Sequence, residues 1–263
     1  MEIVYGFGFL ILFCMSALCG VVLRIRLPRE HISQENMDAV RLVTGLLVTF
    51  AALVLSLQLS TTRSAFDSAN RNRSLYAAQL ARLDQCVRNL GPSFDETRLK
   101  LRQYTAAVIG STWPSEPAPV FSGMPDVRHM AIRGEDPTLS GLLNEIGLAL
   151  NAADPSGAAL ANTAHRCRED YGKMLENRWA VIEDAQAPSG GLFVGIISFW
   201  LVLVFLSFGL QIPQRRLSAI VLAIGVVSIA SVMFVIVDLN MPYGGIFGIR
   251  SAAMRAALAD MSR

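Results

Sequence analysis

Residues 42–59 read LVTGLLVTFAALVLSLQL, a run with no Asp, Glu, Lys, Arg or His. At 1.5 Å per residue, such a run comes close to crossing a bilayer core of about 30 Å. Three more stretches share this character: Ile3–Leu23, Gly191–Ile212 and Leu217–Val237. A buried helix of a soluble protein rarely stays uncharged for so long, and four such runs identify a polytopic membrane protein. The expected fold is all-α, with four transmembrane helices and a helical extramembrane insert between the second and third. The expected division is 1–60 for the first two spans, 61–190 for the insert, 191–239 for the last two spans, and 240–263 for a turn and a short interfacial helix. The lipid bilayer is the first partner this implies.

The overall composition averages two unlike parts. The chain is 52% apolar and only 17% charged, with a formal net charge of +2. These values exclude disorder, and near-neutrality argues against nucleic acid as a partner. A cleaved signal needs positive charge ahead of its apolar run. Here Glu2 precedes the first span and Arg24, Arg26 and Arg29 follow it, which reads as a retained anchor. Six arginines sit in the two short connections, at 24, 26, 29, 41, 215 and 216. By the positive-inside rule that face is cytoplasmic, so the N-terminus and insert are expected in the periplasm of a bacterial inner membrane. Arg250, Arg255 and Arg263 in the tail argue weakly the other way.

Within the insert, Tyr76, Leu80, Leu83, Val87 and Leu90 follow helical spacing, so the second span continues outward to about Asn89. Gly91-Pro92 ends it. Ser93, with Glu96 at the capping-box position, predicts a helix start carrying Leu99, Leu101, Tyr104 and Val108. Three prolines in residues 114–119 predict a loop. Further helices are expected over Thr138–Ala152 and Ser156–Asp184, before Pro188-Ser189-Gly190-Gly191 opens into the third span. Met254, Leu258 and Met261 share one face of a short tail helix, read as lying at the membrane interface.

Cys86 and Cys167 are the two cysteines of the insert. A disulfide between them is chemically permitted outside the cytoplasm, against the alternative of two unrelated buried thiols. Gly45, Thr49, Ala52, Ser56 and Ser60 form one small, weakly polar stripe on the second span. Such a stripe serves as a helix-packing seam or, in an oligomer, lines a polar pathway. Gln58 lies nearly opposite, where headgroups or a neighbouring helix would meet it. In the fourth span Ser228, Ser231 and Asp238 share a side. Asp238 is expected either to be solvated or tied to an arginine or a backbone amide, or to serve as a proton or cation contact. Pro242 stops that helix, and Gly244-Gly245 permits a turn.

No catalytic residue, cofactor or metal is expected, and the chain reads as a non-enzyme. His31, His129 and His165 lack metal-ligand spacing, and no nucleophile elbow or phosphate loop occurs. Glu135-Asp136, Glu169-Asp170 and Glu183-Asp184 are adjacent carboxylates that read as solvated surface.

The segment Leu83-Asp84-Gln85-Cys86-Val87-Arg88-Asn89-Leu90-Gly91-Pro92, with Arg98, Leu101-Arg102, Tyr104 and Trp113-Pro114, resembles the bestrophin-like domain family of bacterial membrane proteins. Phe208-Gly209-Leu210, Pro213 and Asp238-Leu239 with Pro242-Tyr243-x-Gly245 also match it. The resemblance implies four spans around a helical insert, in a family without an established activity. The layout is similar to that of true bestrophins, which are pentameric anion channels. However, Phe50-Ala51-Ala52-Leu53-Val54 shows no counterpart of their neck, and the insert is expected on the opposite side. Two functions follow: an oligomeric channel with the second span lining its axis and a small ion passing, or a non-transporting protein whose insert binds a partner or senses the envelope.

Overall fold

The computed structural model describes residues 2–28, 33–130, 135–186, 191–213 and 215–263. Arg29, His31 and the Pro188–Gly190 entry to the third span lie outside them. The described chain is all-α: α1 (Glu2–Arg26), α2 (Gln34–Arg88), α3 (Asp95–Thr112), α4 (Pro137–Asn151), α5 (Ala158–Gln186), α6 (Gly191–Gln211), α7 (Arg216–Leu239) and α8 (Ala252–Met261). Four helical stretches are long and apolar enough to cross a membrane, and α1, the first part of α2, α6 and α7 carry them. At 1.5 Å per residue the 55 residues of α2 extend about 80 Å, far more than a bilayer core requires, so the helix continues well beyond its span.

The chain divides into two compact units. The first comprises Met1–Ala65, Pro188–Met241 and Gly245–Phe247. Its core joins Phe13 and Ala17 of α1, Ala51 and Leu55 of α2, Leu201 and Phe205 of α6, and Ala230, Met233 and Ile236 of α7. Two glycines decide how α1 meets α6. A Cβ on Gly209 would lie 2.9 Å from the Val21 nitrogen and 3.0 Å from the Gly20 Cα, and would overlap the Ala17 carbonyl oxygen. A Cβ on Gly20 would likewise overlap the Leu206 carbonyl. In lipid, where apolar burial drives little association, such close approach gains dispersion contacts that larger residues would block. Ser16 Oγ donates to Val202 O at 2.6 Å, and the Arg24 guanidinium donates to Ile212 O. The contacts 16–202, 20–209 and 24–212 advance together, so α1 and α6 run parallel.

The second unit comprises Phe66–Ala187, Pro242–Gly244 and Gly248–Arg263. Its core holds the expected seam of α2, from Tyr76 to Val87, with Leu101, Tyr104 and Ile109 of α3, Leu143, Ile146 and Leu150 of α4, and Cys167 and Met174 of α5. Met254, Ala257 and Met261 of α8 belong to the same core. The Met254–Met261 face is therefore covered by this core rather than left free to meet a bilayer. Burying a methionine side chain contributes roughly 1.5–3 kcal/mol, and the insert's core captures that gain for both Met254 and Met261. Two crossings, α6 and α7, separate α5 from α8, and an even number is what returns the chain to the side it left.

Local chemistry shifts one boundary. Gly91 has φ +99° and ψ −177°, a conformation reserved for glycine, and Pro92–Phe94 then form a 3-10 turn. Ser93 is consumed inside that turn. Hence α3 starts at Asp95 with Phe94 at its N-cap and no side-chain cap, correcting the expected Ser93–Glu96 box. Leu99 is exposed, while Thr105 and Ile109 take the buried positions. Helix α4 begins with a true cap, since the Asp136 carboxylate accepts from the amides of Thr138 and Leu139.

Candidate functional site

In the membrane unit, α2 presents two unlike sides. Ala51, Leu55 and Thr44 face the unit's interior, Thr44 being only 3% exposed. The Thr44 hydroxyl donates to Val40 O at 2.7 Å and accepts from Gln211 Nε2 at 2.7 Å, a polar tie between α2 and the end of α6. The stripe of Gly45, Thr49, Ala52, Ser56 and Ser60 is exposed along its whole length. At about 100° per residue its centre lies roughly 130° around the helix from the buried side. Thr49 Oγ1 donates to Gly45 O at 2.9 Å, and a Cβ on Gly45 would meet nothing. Among the described residues the stripe is therefore not a packing seam; a tight seam is the Gly20–Gly209 crossing of α1 and α6. Leu42, Leu46, Leu53 and Leu57 occupy the neighbouring exposed sector. Gln58 is half-buried and reaches one turn along its own helix to Thr62 Oγ1, 3.4 Å away.

On α7, Ser228 and Ser231 are exposed and bonded back to their own helix, at Ile224 O (2.8 Å) and Ser228 O (2.7 Å). Asp238 differs from both. It is 1% exposed, and its two oxygens accept the amides of Ile246 (2.7 Å) and Phe247 (2.9 Å). Gly245 N donates to Met241 O at 3.1 Å, and a Cβ there would lie 2.6 Å from an Asp238 oxygen. The carboxylate thus organises the turn after α7, and Gly245 is needed for close approach. Gly244 and Gly245 have no positive φ. Pro242 O accepts Ile249 N at 2.7 Å, closing the segment that leads to α8.

The second unit concentrates its polar groups. Cys86 of α2 and Cys167 of α5 are joined with Sγ–Sγ 2.11 Å and Cα–Cα 5.5 Å. Two residues before Cys86, Asp84 is 1% exposed and gathers three guanidiniums: Arg98 through two contacts of 3.1 Å, Arg88 at 3.3 Å and Arg102 at 3.8 Å. A buried carboxylate so surrounded is stabilising only as a complete set, because removing it strands its partners. Each adjacent carboxylate pair also contributes a tie. Asp170 accepts from Arg82 Nε at 3.1 Å and from Gln79, and Asp184 accepts from Asn72 Nδ2 at 2.9 Å. These pairs are therefore not simply solvated. Periodicity places one member outward, and whether the other finds a donor depends on the helix packed against it.

Beside this network Tyr76 and Tyr104 are buried and share a hydrogen bond between their hydroxyls. Arg178, 6% exposed, reaches Glu135 Oε1 at 3.2 Å and Ser140 Oγ at 3.1 Å. A cavity of ≈ 60 Å³ opens between Tyr76, Tyr104, Asp136, Arg178 and Tyr243. Burial pushes all three tyrosine hydroxyls up, Tyr76 further through Tyr104 and Tyr243 further through Asp184. They stay neutral and able to donate. Burial opposes the charge on Arg178, yet Tyr104, Tyr76 and Glu135 hold its pKa above the usual arginine value. The Tyr243 hydroxyl has no hydrogen-bond partner among the described residues. No group of three metal-ligating side chains occurs among them either.

These contacts explain why the quoted motif residues belong together. Asp84 holds Arg88, Arg98 and Arg102; Tyr104 pairs with Tyr76; Trp113 Nε1 donates to Ile249 O at 2.6 Å while its ring meets Tyr243 edge-on. The motif welds α2, α3 and the segment before α8. A family model described as Bestrophin-like domain matches residues 11–254. The chain belongs to the bestrophin-like family. No curated protein and no solved structure gives a significant match. This bestrophin-like chain is a multi-pass membrane protein, and the match takes in the later part of the first span, the other three spans, the insert and the start of α8.

Several features of the bestrophin-like unit escaped sequence reading. Gly20 and the Tyr76–Tyr104–Arg178 cluster carried no motif of their own. One signal was present: Asp84 directly follows Leu83 of the helical seam that runs on to Val87, and a carboxylate so placed is buried with a partner or exposed at a helix edge.

Proposed function

We propose that the protein assembles as a symmetric homo-oligomer with α2 facing the axis, and that the assembly conducts a small ion. The exposure of Gly45, Thr49, Ala52, Ser56 and Ser60 carries this reading, because the described residues leave this small, hydroxyl-bearing stripe of α2 uncovered. A ring of such stripes offers weak, repeated oxygen contacts, which suits passage better than tight binding. We place the protein in the bacterial inner membrane with the N-terminus and insert in the periplasm. The arginine-rich connections support this orientation, and the parallel run of α1 and α6 supports putting both on one face. The Cys86–Cys167 bond suits an oxidising compartment.

The test is a mass measurement in detergent followed by flux assays for chloride and for monovalent cations in liposomes. A multimer whose flux is lost in Thr49→Leu and Ser56→Leu supports the reading. A monomer, or flux indifferent to both substitutions, refutes it.

A further inference from the structure

The membrane unit carries an apolar groove of ≈ 530 Å³, within the roughly 300–1,000 Å³ usual for ligand sites. Ala17 and Val21 of α1 form one wall; Ala219, Ala223 and Val226 of α7 form the other. The exposed alanines at 219 and 223, with no longer side chain to reach across, leave the depression open. The groove is lined at one end by Ile212, Pro213, Arg215 and Arg216. Both arginines are exposed, and neither side chain has a partner among the described residues.

We propose that this groove holds one acyl chain of an anionic phospholipid, with the phosphate against Arg215 and Arg216. Length and charge together select this occupant. From Arg216 to Val226 the groove follows α7 for ten residues, about 15 Å, which is half of the roughly 30 Å hydrocarbon core and so the depth of one leaflet. Its only charged end lies at the connection between spans, where headgroups sit. Guanidinium groups bind phosphate oxygens through paired N–H donors, and two unpaired arginines favour a headgroup of net negative charge over a zwitterionic one.

Native mass spectrometry of the full chain in detergent, titrated with phosphatidylglycerol and with phosphatidylcholine of the same acyl chains, tests this. Phosphatidylglycerol is expected to bind more tightly. A basic side chain at a membrane surface is worth roughly fivefold in affinity, so Arg215→Gln with Arg216→Gln should weaken that lipid about 25-fold and abolish the preference. Ala219→Phe with Ala223→Phe, at exposed positions that leave the core intact, should remove both lipids. The free thiol of Cys14, which also lines the groove, should be alkylated more slowly when phosphatidylglycerol is bound, whereas Cys19 should not change. Equal binding of the two lipids, or phosphatidylglycerol binding unaffected by either double variant, overturns the proposal. So does a change in oligomeric mass in the Phe variant, which would assign the groove to a second copy of the chain.

Discussion

Replacing Gly209 by alanine adds one methyl group at the α1–α6 crossing. That methyl would lie 2.9 Å from Val21 N and 3.0 Å from Gly20 Cα, and would overlap Ala17 O. All three are backbone atoms, so no rotamer change relieves the clash and one helix must move by roughly 1 Å. A gap of that size forfeits a quarter to a half of each dispersion contact along the shared face. Over-packing usually costs 1–3 kcal/mol, and a rigid neighbour puts this case at about 3 kcal/mol. At roughly 2–4 °C per kcal/mol for a chain of this size, the unfolding midpoint of purified protein should fall by about 6–12 °C. Gly20→Ala should behave alike, since its Cβ would overlap Leu206 O. Gly195→Ala on α6 and Gly8→Ala on α1 are the controls, because a Cβ at either position meets nothing within 4 Å. Circular dichroism melts of all four variants settle the matter. A Gly209→Ala protein within about 1 °C of the parent would show that the two helices do not meet there.

Three further outcomes are expected. Reduction of the Cys86–Cys167 bond, or Cys86→Ala, opens a crosslink spanning 81 residues, which loop-closure entropy values at roughly 3–5 kcal/mol; the melt should drop with reductant in the parent but not in the variant. Asp238→Asn replaces one of two accepting oxygens with a donor facing an amide and should cost roughly 1–3 kcal/mol, read as faster hydrogen exchange at Ile246 and Phe247. For the insert, Glu116 resists the upward pull of burial because the Ser251 hydroxyl and amide and Arg255 hold its pKa below the usual value, and Ser140 and Arg178 do the same for Glu135. Carboxylates depressed in the folded state stabilise it above the unfolded pKa, about 4.3 for glutamate, and lose that contribution as pH falls through the lower folded value. Acid melts should therefore decline below about pH 4.3, and Glu116→Gln with Glu135→Gln should flatten the decline.

How far the sequence was legible varies by element. The seam of Tyr76, Leu80, Leu83, Val87 and Leu90 is buried throughout, because 3.6-residue periodicity reports a hidden face directly. Periodicity does not report what hides it, which is why the Met254–Met261 face read as membrane-bound when the insert's core covers it. Gly209 stood within a recognised motif, yet its reason is Gly20, some 190 residues earlier, and only the parallel placement of α1 and α6 brings the two together. Asp238 was visible as a carboxylate at a helix end; that it serves amides eight and nine residues onward depends on a turn whose shape the carboxylate itself sets. The small stripe on α2 was legible in spacing, and the structure adds that the chain's own helices leave it uncovered.

The placement of α8 orders events during synthesis. The insert's core needs Ile249, Met254 and Met261, and α6 and α7 both precede them in the chain. As the polypeptide emerges, the insert must wait, incompletely packed, while two more apolar helices, α6 and α7, are made and inserted. Its crosslink between Cys86 and Cys167 can form before that wait ends, which would hold α2 and α5 together until α8 arrives. A mutation that slows insertion of α6 or α7 should then show itself first as proteolysis of the insert, at a distance from the altered residue.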